Sequence, residues 1–326
     1  MGAAHRQHKA DSMKNQLVTL FGGGGFVGRY VVQELLKAGA RVRIAQRDPR
    51  QALYLRTQGG LGQTQFVAAD LTRPDTVARA VAGSDAVVNL VGILEGDFDK
   101  VHVAGARTIA QAAAAAGAKA FVQISAIGAD PASPSAYGRS KAAGEEAVRA
   151  AFPSATILRP SIVFGREDGF VNRFAGMIAA SPALIGRPIV PVMAAGTKFQ
   201  PIYVVDLAQV VVKALADPER FGGQTYAIGG PDVIAMGELN RWIAQAIGRD
   251  VRFVEIPADL GGAIAAMPFT PISKDQWAML SHDNVVAGDV PGIAAFDVRP
   301  VPLATVAPEW LVVYRKNGRF NKVARA

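Results

Sequence analysis

Tyr137 and Lys141 stand four residues apart, and Ser125 lies twelve residues ahead of the tyrosine. On a helix, residues at i and i+4 share one face. A free phenol titrates near ~10, too high for acid–base work at neutral pH. A nearby ammonium and an oxidised nicotinamide would favour the phenolate and lower that value. The expected roles are Tyr137 as general acid–base, Lys141 as its tuner and a donor to the nicotinamide ribose, and Ser125 as the anchor of a substrate carbonyl or hydroxyl. Tyr-x-x-x-Lys is common by chance, so its weight depends on the elements around it.

Those elements begin with an apolar run, Leu17–Phe21, then Gly22-Gly23-Gly24-Gly25-Phe26-Val27-Gly28, then a segment of helical period to Gly39. This is a buried strand, a tight turn and a helix. Glycines at 22, 25 and 28 let backbone approach a ligand closely. The free N–H groups and the helix dipole at such a turn favour a pyrophosphate. A dinucleotide site is therefore expected at Gly22, Gly24, Gly25, Phe26, Val27 and Gly28.

Strands are expected at Arg41–Ala45, Gln65–Ala68, Ala86–Val91, Ala120–Ile124 and Thr156–Leu158. Helices are expected at Val27–Ala38, Pro74–Val81, Val101–Ala116 and Tyr137–Ala151. Strands alternating with helices give a Rossmann-type, doubly wound parallel sheet, with ligands at the carboxyl ends of the strands. Arg47 follows the second strand, where an acid would suit NAD and an arginine suits a 2′-phosphate. Arg41 and Arg43 add positive field, so NADP(H) is the expected cofactor; the plainer alternative is three surface arginines. Asp70 and Leu71 follow the third strand, where the carboxylate either accepts from an adenine amino group or caps the next turn. Leu90, Val91 and Gly92 end the fourth, where backbone either lies along the cofactor or simply turns.

Beyond Val163 the pattern loosens. Short strands are expected at Ile189–Val192, Phe199–Tyr203, Thr225–Ile228 and Val251–Ile256, with helices at Val205–Ala216 and Met236–Ile247. The expected organisation is a tail over 1–16, a nucleotide-binding domain over 17–163 with 199–230 returning to it, a smaller lobe over 164–300 and a basic docking tail over 301–326.

The 326 residues are 50% hydrophobic, enough for a sizeable core, and carry a net charge of +8. Cysteine is absent, which excludes disulfides and thiolate metal sites, and with four scattered histidines no metal site is expected. Low aromatic content and the lack of a nucleic-acid motif argue against nucleic acid. No apolar run approaches the ~18–20 residues of a spanning helix. Met1–Gln16 is polar with no signal core, and Arg6 breaks a myristoylation pattern at Gly2. The first twelve residues read as a disordered tail or an over-extended start.

Together the glycine turn, Asp70-Leu71, Ser125, Tyr137-x-x-x-Lys141, Arg159–Gly165 and Pro201–Asp206 resemble the extended or atypical short-chain dehydrogenase/reductase superfamily. That resemblance implies that Pro160 and Ile162 pass the nicotinamide. Phe164–Phe174, Lys274–Trp277, Asp283–Val286 and Tyr314-Arg315-x-x-Gly318 resemble more closely the nucleotide-binding accessory subunits of respiratory complex I. This implies a firmly held, structural NADPH and other complex I subunits as partners. It also implies a peripheral place near the quinone site, on the cytoplasmic face of a bacterial inner membrane or on the matrix side if mitochondrial. The superfamily commonly has an asparagine near its proton relay; here the stretch reads Val101-His102-Val103, and His102 either relays a proton or packs, with packing preferred. Trp310–Ala326 has five basic residues, no acid, and interleaved Trp310, Tyr314 and Phe320. It suits a lipid headgroup surface or an acidic partner, or is a solvated tail; the resemblance favours docking. The rival reading is a free-standing NADP-dependent reductase, epimerase or dehydratase using Ser125, Tyr137 and Lys141.

Overall fold

The computed structural model describes residues 13–182, 186–266 and 272–318. Of the expected tail over 1–16, residues 1–12 lie outside the described residues, as do Arg319, Phe320, Lys322 and Arg325 of the basic tail; Met13 is buried and Asn15 N–H donates to Gly39 O, so 13–16 are ordered against the first unit. Two compact units are present. Among the described residues, the first comprises 13–160, Val204–Ile228 and Ala287–Arg299; the second comprises those within 161–203, 229–286 and 300–318. The returning segment is thus shorter than 199–230, and residues 287–299 join the first unit instead of the lobe. Their attachment is physical: Ala227 N–H donates to Pro291 O, Lys213 Nζ to Phe296 O, and Phe296 stacks on Phe221.

The first unit is built on β1 (Leu17–Phe21), β2 (Arg41–Gln46), β3 (Thr64–Ala68), β4 (Ala86–Asn89), β5 (Ala120–Ile124), β6 (Thr156–Pro160) and the edge strand Thr225–Ile228. All pair in parallel, in the order Thr225–Ile228, β6, β5, β4, β1, β2, β3. The order reverses between β1 and β4, the crevice where ligands bind in such sheets. The central strands are apolar on both sides because helices cover both. Phe21, Val87, Phe121 and Ile157 are buried with Val77, Ile109 and Val148 from helices on one face. The helices Phe26–Lys37 and Val204–Ala216 pack together on the other, burying Val31, Val32, Leu35, Leu207 and Val211.

Two elements depart from expectation. β4 ends at Asn89, two residues early, because the Asn89 side chain accepts from Val91 N–H and turns the chain. The helix expected from Val101 begins as a π-helical segment, Asp99–Gly105, before α-helix over Ala106–Ala115. Such segments are rare and frequent at functional sites.

The second unit has its own core, with Phe164, Val171, Ile178, Leu239, Ile243, Trp310 and Leu311 buried together. Its sheets are small: Ile189–Met193 with Arg252–Ile256, Val163–Phe164 with Ile202–Tyr203, and Lys198–Phe199 with Ile234–Ala235. The single strand expected over Phe199–Tyr203 is two, broken at Gln200-Pro201. Proline has no N–H for a ladder. Trp310 is buried and stacks on Tyr203, and Tyr314 packs against the same cluster. Arg315 donates to Ala246 O. Of the expected docking tail, Trp310 is therefore part of the unit's core, Tyr314 and Arg315 are half-buried beside it, and Lys316 is exposed.

The tightest constraint at the glycine turn is Gly28. A Cβ there would meet Gly22 O, and Gly23 O at 2.5 Å, both backbone atoms with nowhere to move. Gly28→Ala is expected to cost about 1–3 kcal/mol by overpacking. A urea titration of the purified variant checks this; an unchanged midpoint would contradict it.

Candidate nucleotide site

The turn after β1 is made by Gly22, at φ +80°. Its N–H donates to Ala45 O and its carbonyl accepts from Gly25 N–H at 3.0 Å. Gly25 is the N-cap of the helix Phe26–Lys37, with no side-chain cap and no acid in the first turn. The first N–H groups, of Phe26, Val27 and Gly28, have no acceptor within the helix. They stand at the carboxyl end of β1, beside β4. Gly24 also needs its lack of a side chain: a Cβ would meet Gln46 Oε1, and Ala52 Cβ at 2.9 Å. Tyr54 OH donates to Gly24 O, holding the loop from outside. A Cβ on Gly22 would lie 3.4 Å from Leu90 C and Val91 N, so the turn and the β4 end form one wall.

Arg47 is exposed just past β2. Arg41 and Arg43 do not join it. Arg41 donates to Asn15 O, and Arg43 to Gln65 Oε1, Ala80 O and Ala82 O. The positive field expected from three arginines is thus chiefly that of Arg47. Asp70 Oδ1 accepts from Thr72 N–H and Oγ, which holds its carboxyl below the usual range, with Arg47 and Lys100 adding to the effect. The turn-capping role is therefore present. Leu71 packs on the sheet core, its Cδ1 2.9 Å from where a Gly105 Cβ would be.

Tyr137 and Lys141 lie on the helix Ala136–Ala151, started by Ser135, whose hydroxyl accepts from Gly138 N–H. Lys141 Nζ donates to Ile124 O at 2.9 Å, at the end of β5, and lies about 4.0 Å from where a Gly92 Cβ would sit. Burial lowers its pKa to about 8. Burial pushes the half-buried Tyr137 up to about 12. Loss of solvation is the cause, and it acts against the lowering expected from a neighbouring ammonium and an oxidised nicotinamide.

Ser125 differs most from expectation. Its hydroxyl is buried and donates to Glu145 Oε1 at 2.6 Å. Glu145 also receives Arg159 Nε and Nη2, each at 2.8 Å, and Arg149 at 3.4 Å. The single hydroxyl proton is thus directed at a carboxylate instead of a substrate oxygen. Ala126 and Ile127 follow and carry no hydroxyl. Glu145 escapes a reading centred on Tyr-x-x-x-Lys, yet the signal exists: it continues the face at i+8. Pro160 ends β6 in the first unit. Ile162 belongs to the second, where its N–H donates to Asn284 Oδ1 and its side chain packs near Val192, Phe199 and Met236. Among the described residues no group of acidic or histidine side chains could hold a metal, and no helix is long and apolar enough to cross a membrane.

Lys141 and Tyr137 give opposite pH signatures. Between about 8 and 10.5 the unfolded chain holds the lysine proton that the folded chain has lost, so this contribution to stability rises with pH. Between about 10 and 12 the folded chain keeps the phenol proton that the unfolded chain has lost, so this contribution falls with pH. Lys141→Met is expected to remove the rise and Tyr137→Phe the fall. Denaturant melts across pH 7–12 at intervals of roughly half a unit measure both slopes.

The match to the NAD dependent epimerase/dehydratase family spans residues 18–229. Across 96% of this chain and 87% of the relative, the sequence is 36% identical to the mitochondrial NADH dehydrogenase [ubiquinone] 1 alpha subcomplex subunit 9 of Mus musculus. It is 31% identical to a ceramide reductase of Caulobacter vibrioides, over 83% of this chain and 81% of that one. In fold it is similar to the Citrobacter sp. triphenylmethane reductase complexed with NADP(H), with a TM-score of 0.71 at 18% identity, covering 90% of this chain and 99% of that one. The glycine turn, the parallel sheet and the length of the similarity agree: the chain belongs to the NAD dependent epimerase/dehydratase family of the short-chain dehydrogenase/reductase superfamily, and within it to the family of complex I alpha subcomplex subunit 9.

Proposed function

We propose that this chain is an accessory subunit of respiratory complex I that retains NADPH chiefly as a structural cofactor. The observation that carries this reading is the extent of the similarity. It runs across 96% of the chain, whereas the family match ends at residue 229, so it includes the second unit's C-terminal segments. Its place would be the peripheral arm near the membrane and the quinone site. That is the cytoplasmic face of a bacterial inner membrane, or the matrix side in a mitochondrion.

The cradle fits a nicotinamide dinucleotide. Two glycines whose Cβ atoms would clash, and a helix N-terminus with no side-chain cap, suit a pyrophosphate at Phe26, Val27 and Gly28. Arg47 would take the 2′-phosphate, Asp70 and Leu71 the adenine end, and Leu90, Val91 and Gly92 the path between. Tyr137 and Lys141 would meet the nicotinamide ribose, with Pro160 at the nicotinamide. When bound, the nucleotide supplies a hydride. A substrate taking that hydride would need its oxygen anchored and protonated, and the Ser125 hydroxyl expected to anchor it donates to Glu145 instead. A ligand held only by the folded state stabilises it, by about 2.7 kcal/mol at a hundredfold excess over Kd.

A free-standing NADP-dependent reductase is the second reading. It is favoured by Tyr137 and Lys141 on one helix face, and by a reductase among the relatives. Solubilised native membranes distinguish the two. Under the first reading the chain migrates with complex I and NADPH stays bound without consumption. A soluble monomer or dimer that oxidises NADPH against carbonyl compounds would overturn it. Arg47→Asp is expected to weaken NADP relative to NAD by about tenfold, read as nucleotide retention after gel filtration. Unchanged retention would remove Arg47 from the site.

A further inference from the structure

We infer that His102 is a positioning residue for the nicotinamide half of the bound nucleotide: it fixes the Gly92–Ile93 backbone against the helix that carries Tyr137 and Lys141. The inference rests on the nucleotide reading above and assigns one part of that site to one side chain.

His102 is buried in the π-helical segment Asp99–Gly105, and both ring nitrogens are engaged. Nε2 accepts from Ile93 N–H at 3.0 Å. The other nitrogen must then carry the proton. Nδ1 donates to Ser140 Oγ at 2.9 Å, and Ser140 Oγ donates in turn to Tyr137 O at 2.8 Å. One continuous set of bonds thus joins the loop after β4 to the first turns of the helix Ala136–Ala151. The ring is stacked on Phe98 with centroids 5.4 Å apart and meets Tyr137 edge-on at 5.5 Å. A Cβ on Gly92 would lie 3.7 Å from His102 Nε2 and 4.0 Å from Lys141 Nζ. The imidazole therefore sits beside both the backbone and the ammonium expected at the nicotinamide ribose.

The π-helical geometry and Gly144 make the placement possible. A Cβ at Gly144 would meet His102 O, so the segment rests directly on the neighbouring helix backbone. Burial and the Lys141 charge keep the ring neutral, with its pKa lowered to about 4, so that Nε2 remains an acceptor through the physiological range. A phenylalanine could fill the same space and stack on Phe98. It could not hold Ile93 or Ser140.

The test compares two probes in the full-length chain. NADPH spans the whole site; adenosine 2′,5′-bisphosphate occupies only the adenine half. His102→Phe is expected to weaken NADPH binding by about tenfold, with a shifted nicotinamide fluorescence, and to change the bisphosphate by less than about twofold. His102→Gln, whose amide offers both a donor and an acceptor, is expected to recover part of the loss. Ser140→Ala deletes a single hydroxyl and carries the same comparison should His102→Phe not fold. Equal loss for both probes, or unchanged NADPH binding, would overturn the inference. If the unaltered chain binds the bisphosphate but not NADPH, the inference fails while the adenine end of the nucleotide reading stands. Failure to bind either probe would overturn both.

Discussion

A buried carboxylate organises the first unit. Glu145 is 1% exposed and collects Ser125 from the end of β5, Arg159 from β6 and Arg149 from its own helix. Arg149 passes the contact on to Thr225 of the edge strand. A buried charge is tolerable only when paired and hydrogen-bonded, so each partner must arrive in register. The helix Ala136–Ala151 is thereby pinned in rotation as well as position. Tyr137 and Lys141 lie two turns and one turn before Glu145, and inherit their placement from it. Lys141 then reaches Ile124 O, a second tie between the same helix and β5.

The electrostatics of this arrangement are set by the loss of water around two titratable groups. Acid–base catalysis works best when the group titrates near the working pH. Here burial moves the phenol away from neutrality, to about 12, and brings the lysine down to about 8. Both shifts have one cause, the loss of water, and both disfavour the charged form. A cationic nicotinamide would oppose the first shift and reinforce the second, so the two groups respond to the oxidised nucleotide in the same electrostatic sense.

Much of this was legible in the sequence where one residue type answers one local demand. The strand–glycine–helix pattern at Leu17–Lys37 and the alternation of strands and helices to β6 follow from periodicity and turn chemistry. Boundaries set by side chains were not legible. β4 stops because Asn89 turns back on Val91, and Arg43 is consumed by carbonyls some forty residues away in sequence. The aromatic spacing of Trp310 and Tyr314 could not reveal whether they face a membrane or a core. That depends on Tyr203 and the helix Met236–Ala246, which only folding brings near. The same limit hid Glu145, whose partners arise from two strands.

The identity of a donor's partner decides what a hydroxyl or an imidazole can do. A proton relay needs groups that can both give and take a proton along the chain. At His102 that chain ends at Ile93 N–H, a backbone amide that keeps its proton, so the ring is a strut and not a relay. At Ser125 it ends at a carboxylate already held by two arginines, which accepts and leaves the serine as donor. The residue types of a catalytic site are present, but the bonds around His102 and Ser125 are spent on fixing position.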